Sequence, residues 1–332
     1  MDLIRAQERM LTHPAHAQVL GNPDYAFGAA FVADHFCPIL EASIPIIDAG
    51  LFHADAVYDV VSVSGGAFFR LEEHQARFAR ACAAIRVRNP FDREKEAEIL
   101  HELVARAGLR DAYVWWTVTR GLPPMGRNEM VDPLKFENRF YAMAVPFVFM
   151  FDDDQRARGV DLVVSRDHIR IPARAVDPRA KNFHWLDMQM ALFEAGDRGG
   201  EWAVLTDADG YLAEATGANI FAIVDGTVVT PDSGCLEGIT RQSVMDLCQE
   251  LGIPTACRRI HADELKTAQE VFMTTTAGSI MPARSVDGKP VFGHGGAGEL
   301  SVRLHNLYWE KRWAGWHATP VRYDLAKQEH QP

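Results

Sequence analysis

The sequence predicts a two-domain α+β protein, and three observations carry that expectation. Its 332 residues are enough for two ordinary domains. Short stretches rich in β-branched and aromatic residues are interleaved with amphipathic helical stretches. A charged cluster, DDDQRAR at 152–158, separates two apolar runs as a linker does. The expected organisation is a small N-terminal α+β domain with an N-terminal arm over 1–151, a linker over 152–158 and a larger strand-rich domain over 159–332.

From Ala42 onward, ASIPIIDAGLFHADAVYDVVSVSGGAFFRLEEHQARFARACAAIRV predicts strand, loop, strand, a Gly65-Gly66 turn, strand, then an amphipathic helix from about Glu72. A second helix is expected over 93–107, followed by the strand DAYVWWTVTRG, a polar Pro/Gly loop through Lys135 and the strand ENRFYAMAVPFVFM. Beyond the linker, VDLVVSR and EWAVLTDADGYLAEATGANIFAIVDGTVVTP supply short strands. Asp209-Gly210 and Asp225-Gly226 are dipeptides that favour tight hairpin turns.

Composition narrows the function classes. With 48% hydrophobic and 24% charged residues the chain is globular rather than disordered. Its net charge of −11 lacks the basic footprint of a nucleic-acid binder. The longest apolar run, 141–151, contains Pro146 and falls short of the roughly 20 residues a membrane helix needs. The N-terminus has no continuous apolar stretch of the signal-peptide type, so a cytoplasmic location is expected. Five cysteines without C-x-x-C spacing suggest reduced core thiols, and none of the 13 histidines shows metal-ligand spacing. Phosphate-loop, zincin, serine-hydrolase and kinase motifs are missing.

Four local patterns carry chemistry. Lysines number only seven, and six sit in charged or turn-like settings. The seventh, Lys181, lies in RIPARAVDPRAKNFHWLDMQMALFEA, where Phe183, Trp185, Leu186, Met190 and Leu192 are expected to desolvate it. Desolvation lowers an amine's pKa, and a neutral amine attacks carbonyls. The alternative is a lysine snorkelling at a helix start. In GCLEGITRQSVMDLCQELG, Gly238-Ile239-Thr240 opens a helix whose amides suit a phosphate, or Thr240 is simply a cap. Thr274, Thr275 and Thr276 end a strand before Ala277-Gly278, as phosphate donors or only as β-formers. Glu214 lies in an apolar strand, where a carboxylate needs a partner, and a protonated pyridine nitrogen is one candidate.

Taken together, Arg77 in RLEEHQARF, Lys181 in AKNFHW, Glu214 in LAEATGANIF, LEGITR at 236–241 and TTAG at 275–278 resemble the fold-type-IV, or class IV, pyridoxal-phosphate-dependent aminotransferases. Order and spacing match over most of the chain. HADAVYDV at 53–60, VTRG at 118–121 and AVPF at 144–147 look most like the (R)-selective amine transaminases. The resemblance implies a small α/β domain, a larger pseudo-barrel domain carrying the lysine, and a homodimer. It implies pyridoxal 5′-phosphate as cofactor, with pyridoxamine phosphate as its amino form. Lys181 is then the Schiff-base lysine and proton carrier, and Glu214 the partner of the pyridine nitrogen. Arg77, Ile239, Thr240 and Thr276, with Gly238 and Thr275 adjacent, hold the phosphate, and Leu236 packs on the ring. His53, Tyr58, Val60, Tyr113, Trp115 and Ala277 match substrate-pocket positions. Arg127 matches a loop arginine that binds a keto-acid carboxylate.

The implied reaction moves the amino group of an (R)-amine to pyruvate or another 2-keto acid by a ping-pong cycle. Branched-chain relatives carry a tyrosine five residues after the lysine, where this chain has Leu186. D-amino-acid relatives carry an arginine-x-histidine triplet, which the 121–139 loop lacks. Trp115-Trp116 replaces smaller or acidic residues beside the large pocket. The rivals are a D-amino-acid or, less favoured, a branched-chain aminotransferase, a lyase on the same scaffold and a non-catalytic binding protein. Retention of both Lys181 and Glu214 speaks against the last.

Overall fold

The computed structural model describes residues 1–11, 24–125, 131–291 and 295–327. The chain divides into two compact units, neither contiguous in sequence. The first gathers Glu8–Val148, Ala180–Phe183 and Arg312–Pro332, and the second Met1–Gln7, Phe149–Arg179 and His184–Lys311.

Period-two alternation in the first unit builds an antiparallel sheet from β1 (Ala29–Val32), β2 (His35–Pro38), β3 (Ala56–Ser64), β4 (Ala67–Phe69), β5 (Ala112–Leu122) and β6 (Glu137–Pro146). The spatial order starts with the strand Ala318–Pro320 and continues β4, β3, β5, β6, β1, β2. Gly65 and Gly66, both at positive φ, make the two-residue turn between β3 and β4 that few other residues could adopt. Tyr58, Val60 and Ser62 pair with Thr117, Trp115 and Tyr113, which puts these side chains on one face of the sheet.

The opposite face carries Val57, Asp59, Val61 and Trp116. After short helices α1 (Ala6–Leu11) and α2 (Ala49–Phe52), helices α3 (Leu71–Ile85) and α4 (Arg93–Arg106) cover that face. Leu71, Phe78, Ala81 and Cys82 of α3, with Ile99, Leu100 and Leu103 of α4, share one buried cluster with Trp116. Glu72 and Glu73 suit the positive end of α3, and Asp92 caps α4 by accepting from the Lys95 amide at 2.8 Å.

The second unit holds β7 (Val160–Val164), β8 (Trp202–Thr206), β9 (Leu212–Ala215), β10 (Asn219–Val224), β11 (Thr227–Thr230), β12 (Thr255–Cys257), β13 (Glu270–Thr275), β14 (Ser279–Val286) and β15 (Lys289–Pro290). Its sheet runs β12-β11-β10-β13-β14-β7-β8-β9, with β15 on β14. The pairs β11·β12, β14·β7 and β7·β8 are parallel, and the remaining pairs are antiparallel. Val160, Leu162, Ile220, Met273 and Met281 lie in its core. Helices α5 (Asp153–Arg158), α6 (Leu186–Asp197), α7 (Ile239–Glu250) and α8 (Glu299–Trp313) complete the described α-helices.

Two expectations need correction. Residues 152–158, expected as the linker, form a capped helix. Asp152 accepts from the Gln155 amide while Gln155 reaches back to the Asp152 amide, a capping box that starts α5. The chain passes between the units at Val148/Phe149 instead, and the segment Ala180–Phe183 with Lys181 folds with the first unit rather than with the later residues. All five cysteines are free, and Cys257 alone of them is exposed. No helix among the described residues is long and apolar enough to cross a membrane.

Candidate active site

Lys181 is held as an extension of the first unit's sheet rather than at a helix start. The Tyr58 amide donates to the Lys181 carbonyl at 2.9 Å, and Val57 and Asn182 form an antiparallel bridge. The α6 helix begins only at Leu186. Leu186 is 72% exposed, Met190 is exposed, and Trp185 packs in the cluster beneath α6. Among the expected neighbours, Phe183 joins apolar residues of the sheet face near Lys181. The Lys181 Nζ lies 4.4 Å from the Tyr58 ring centroid. Tyr58, Trp115 and Phe183 form a triangle of rings with centroids 5.6 to 6.1 Å apart.

Val60 and Tyr113 lie on the same face as these rings, and burial pushes the Tyr113 phenol above its ordinary pKa. Trp116, the neighbour of Trp115, points the other way and is fully buried against Phe78 at 5.6 Å. Of the tryptophan pair only Trp115 therefore borders the face that carries Tyr58. His53 ends α2 at the surface, its ring 4.2 Å from Phe52. Arg127 lies outside the described residues.

On the helix side of β3, Arg77 is fixed by a carboxylate that the sequence alone does not single out. Arg77 Nε donates to Asp59 Oδ2 at 2.8 Å and Nη2 to Oδ1 at 2.7 Å, while His74 Nδ1 lies 2.7 Å from Oδ1. Burial alone would raise the Asp59 pKa, but the Arg77 guanidinium and His74 overcome it and hold the group well below the carboxylate range. Burial pushes His74 below its ordinary value against the pull of Asp59, and the Arg77 and Lys181 cations add to that push.

The second unit assembles the other expected residues. Glu214 on β9 is buried; its Oε1 accepts from Arg170 Nε at 2.8 Å and its Oε2 from the Leu236 amide at 3.2 Å. Arg170 Nη1 continues to Asp187 Oδ2 at 2.6 Å, which also accepts from the Ile171 amide. Asn219 Nδ2 donates to the Leu236 carbonyl at 2.7 Å, which fixes the turn leading into α7. Gly238 is the N-cap of α7 and has no side chain to occupy the first amides, those of Ile239 and Thr240 included. A Cβ at Gly238 would lie 2.0 Å from Asn219 Oδ1, so any larger residue must displace the Asn219 side chain. Thr275 ends β13, Thr276 and Ala277 form the turn after it, and the Ala277 carbonyl accepts from the Met150 amide.

Asp59, Arg170 and Asp187 are the residues sequence reasoning missed. Asp59 carried a readable signal, since a carboxylate between Tyr58 and Val60 in an apolar strand raises the same question of a partner as Glu214 does. Arg170 is one of several arginines in a polar loop and carries no comparable mark.

Residues 56–286 match the amino-transferase class IV family model. The chain is similar to a putative branched-chain-amino-acid aminotransferase of Methanocaldococcus jannaschii, with 30% identity over 271 residues, covering 81% of this chain and 91% of the relative. It is 31% identical to the branched-chain-amino-acid aminotransferase of Pseudomonas aeruginosa over 79% of this chain and 83% of that one. Among solved structures, a T.th. branched-chain amino acid aminotransferase with pyridoxamine 5′-phosphate superposes with a TM-score of 0.82 at 30% identity, covering 90% of this chain and all of that one. The Escherichia coli branched-chain enzyme gives a TM-score of 0.79 at 25% identity, covering 86% of this chain and 94% of that one. The fold, the spacing of lysine, carboxylate and helix start, and these matches agree: the chain belongs to the class IV amino-transferases.

Proposed function

We propose that this aminotransferase uses pyridoxal phosphate to move the amino group of an (R)-amine to pyruvate or another 2-keto acid, and that it works as a homodimer. The residues fit the cofactor. A lysine beside aromatic rings, a buried carboxylate, an arginine and an uncapped helix start are the groups a phosphorylated pyridine aldehyde requires. Bound there, pyridoxal phosphate supplies the electron sink for breaking the bond between hydrogen and the amine-bearing carbon.

In this reading Lys181 would hold the cofactor covalently through its amine, and its Nζ would carry the proton during turnover. Glu214 holds a proton on the pyridine nitrogen, and its ion pair with Arg170 keeps the carboxylate aimed. Arg77, the amides of Ile239 and Thr240, the Thr240 hydroxyl and Thr276, with Gly238 and Thr275 adjacent, serve the phosphate, and Leu236 lies against the ring. His53, Tyr58, Val60, Tyr113, Trp115 and Ala277 shape the substrate pocket, and Arg127 receives the acceptor's carboxylate.

The observation that carries the amine reading is the ring triangle of Tyr58, Trp115 and Phe183 around Lys181, a surface suited to an apolar substituent. A second reading, branched-chain amino-acid transamination, draws on the names of the relatives. Against it stands Leu186, which offers no hydroxyl five residues after the lysine. The test is the visible spectrum of the full chain with pyridoxal phosphate. Lys181→Ala should abolish the lysine-dependent band, (R)-1-phenylethylamine should bleach it, and pyruvate should restore it. Bleaching by L-leucine but not by the amine overturns the proposal in favour of the branched-chain reading. Bleaching by D-alanine alone moves it to D-amino acids.

A further inference from the structure

Asp59 stands at an unusual junction. It is fully buried on β3, between Tyr58 and Val60, and four donors converge on its carboxylate. Arg77 gives it the Nε and Nη2 hydrogens, side-on, at 2.8 and 2.7 Å. His74 Nδ1 and the Val60 amide approach Oδ1 at 2.7 Å each. Arg77 and His74 sit one turn apart on α3, so the carboxylate pins that helix face to the strand. A side-on pair fixes both the plane and the direction of a guanidinium, which a single contact would leave to rotate. A buried arginine lacking such a partner would be expensive to keep charged.

We propose that Asp59 is the positioning residue for anion binding in this enzyme: by engaging the Nε edge of Arg77 it directs the Nη1 end of the guanidinium toward the cofactor phosphate. The inference rests on the proposed phosphate role of Arg77. It makes Asp59, which touches neither substrate nor cofactor, a determinant of how strongly the enzyme discriminates pyridoxal phosphate from pyridoxal. Its location on the strand that bears Tyr58 and Val60 gives the phosphate arginine and the pocket wall a common anchor.

The experiment compares binding of pyridoxal phosphate and of pyridoxal, which lacks the phosphate, by the full-length apoprotein, followed by the visible band. Asp59→Asn keeps the shape and removes the charge. It should reduce the pyridoxal phosphate to pyridoxal affinity ratio by roughly tenfold and leave pyridoxal affinity near that of the parent. Arg77→Gln should reduce the same ratio, and the double variant should show little further loss, because the two residues act as one unit. Equal weakening of both ligands by Asp59→Asn, or no change in the ratio while Arg77→Gln lowers it, overturns the positioning role. An unchanged ratio in Arg77→Gln overturns the phosphate reading of Arg77 and the proposal with it. If Asp59→Asn does not fold, Asp59→Glu, which keeps the charge but displaces it by one methylene, should lower the ratio as well; an unchanged ratio there refutes the role.

Discussion

Trp115 and Trp116 show how one residue step in a strand separates the face that carries Tyr58 from core packing. Trp116 fills the space beneath α3, whereas Trp115 shares the ring triangle near Lys181. Trp115→Ala should therefore raise turnover of bulky amines relative to (R)-1-phenylethylamine, by roughly tenfold in the ratio of kcat/KM, with little change in Tm. Trp116→Ala should instead cost about 3 to 5 kcal/mol of stability, as large core truncations do. Glu96 is a second residue with a distinct signature. Burial pushes its carboxyl up to about 7, despite hydrogen bonds from Gln75 and Asn89. A carboxyl raised in the fold stabilises most below its unfolded pKa and loses that contribution as pH climbs toward 7. Unfolding free energy should thus fall by on the order of 3 kcal/mol at this site between about pH 4 and pH 8. Denaturant titrations of Glu96→Gln across that range should show a flatter slope than the parent.

At the scale of elements, helix starts divide into those closed by a side chain, such as α4 and α5, and those without a side-chain cap, such as α3, α6 and α7. Asp152 closes α5 with a capping box, and Asp152→Ala should lower stability by about 1 kcal/mol, read as a shift in the denaturation midpoint. Gly238 leaves α7 open, and Gly238→Ala would force its Cβ against Asn219. That variant should weaken pyridoxal phosphate binding more than pyridoxal binding, measured by the same titration of the apoprotein. Much of this level was legible in advance. The hairpin at Gly65-Gly66, the helix near Glu72 and the turn at Asp225-Gly226 follow from local rules of backbone conformation. The environment of Lys181 did not, because its neighbours Tyr58 and Trp115 are brought in by long-range strand pairing that no local period encodes. Residues 152–158 misled for a related reason: acids followed by Gln and Arg suit both a solvated linker and a capped surface helix, and only tertiary contacts choose.

For the molecule as a whole, the family was legible because a lysine, a glutamate, a helix start and a threonine turn recur in a fixed order, whereas the unit boundaries were not. Each unit also holds a carboxylate tuned for neutral pH. Asp59 in the first is held well below the ordinary range, and Glu194 in the second is lowered to about 2; burial would raise it, but the Ser165 hydroxyl, the amides of Arg166 and Asp167, and Arg198 outweigh that. Carboxylates depressed in the fold stabilise above their unfolded pKa, near 4, and lose that contribution as pH falls through the folded value. Thermal unfolding should accordingly shift to lower temperature between about pH 5 and about pH 2 to 3, and Glu194→Gln should reduce the shift.

The interleaving of the units bears on how the protein is made. Residues 180–183 join the first unit after more than thirty residues of the second have been synthesised, and the strand Ala318–Pro320 that edges its sheet follows the second unit's last long segment, 184–311. No single cut yields a fragment with a complete first unit. A nascent chain that has emerged only to residue 148 lacks both Lys181 and the strand Ala318–Pro320, so the first unit's sheet is completed only by residues that follow most of the second unit.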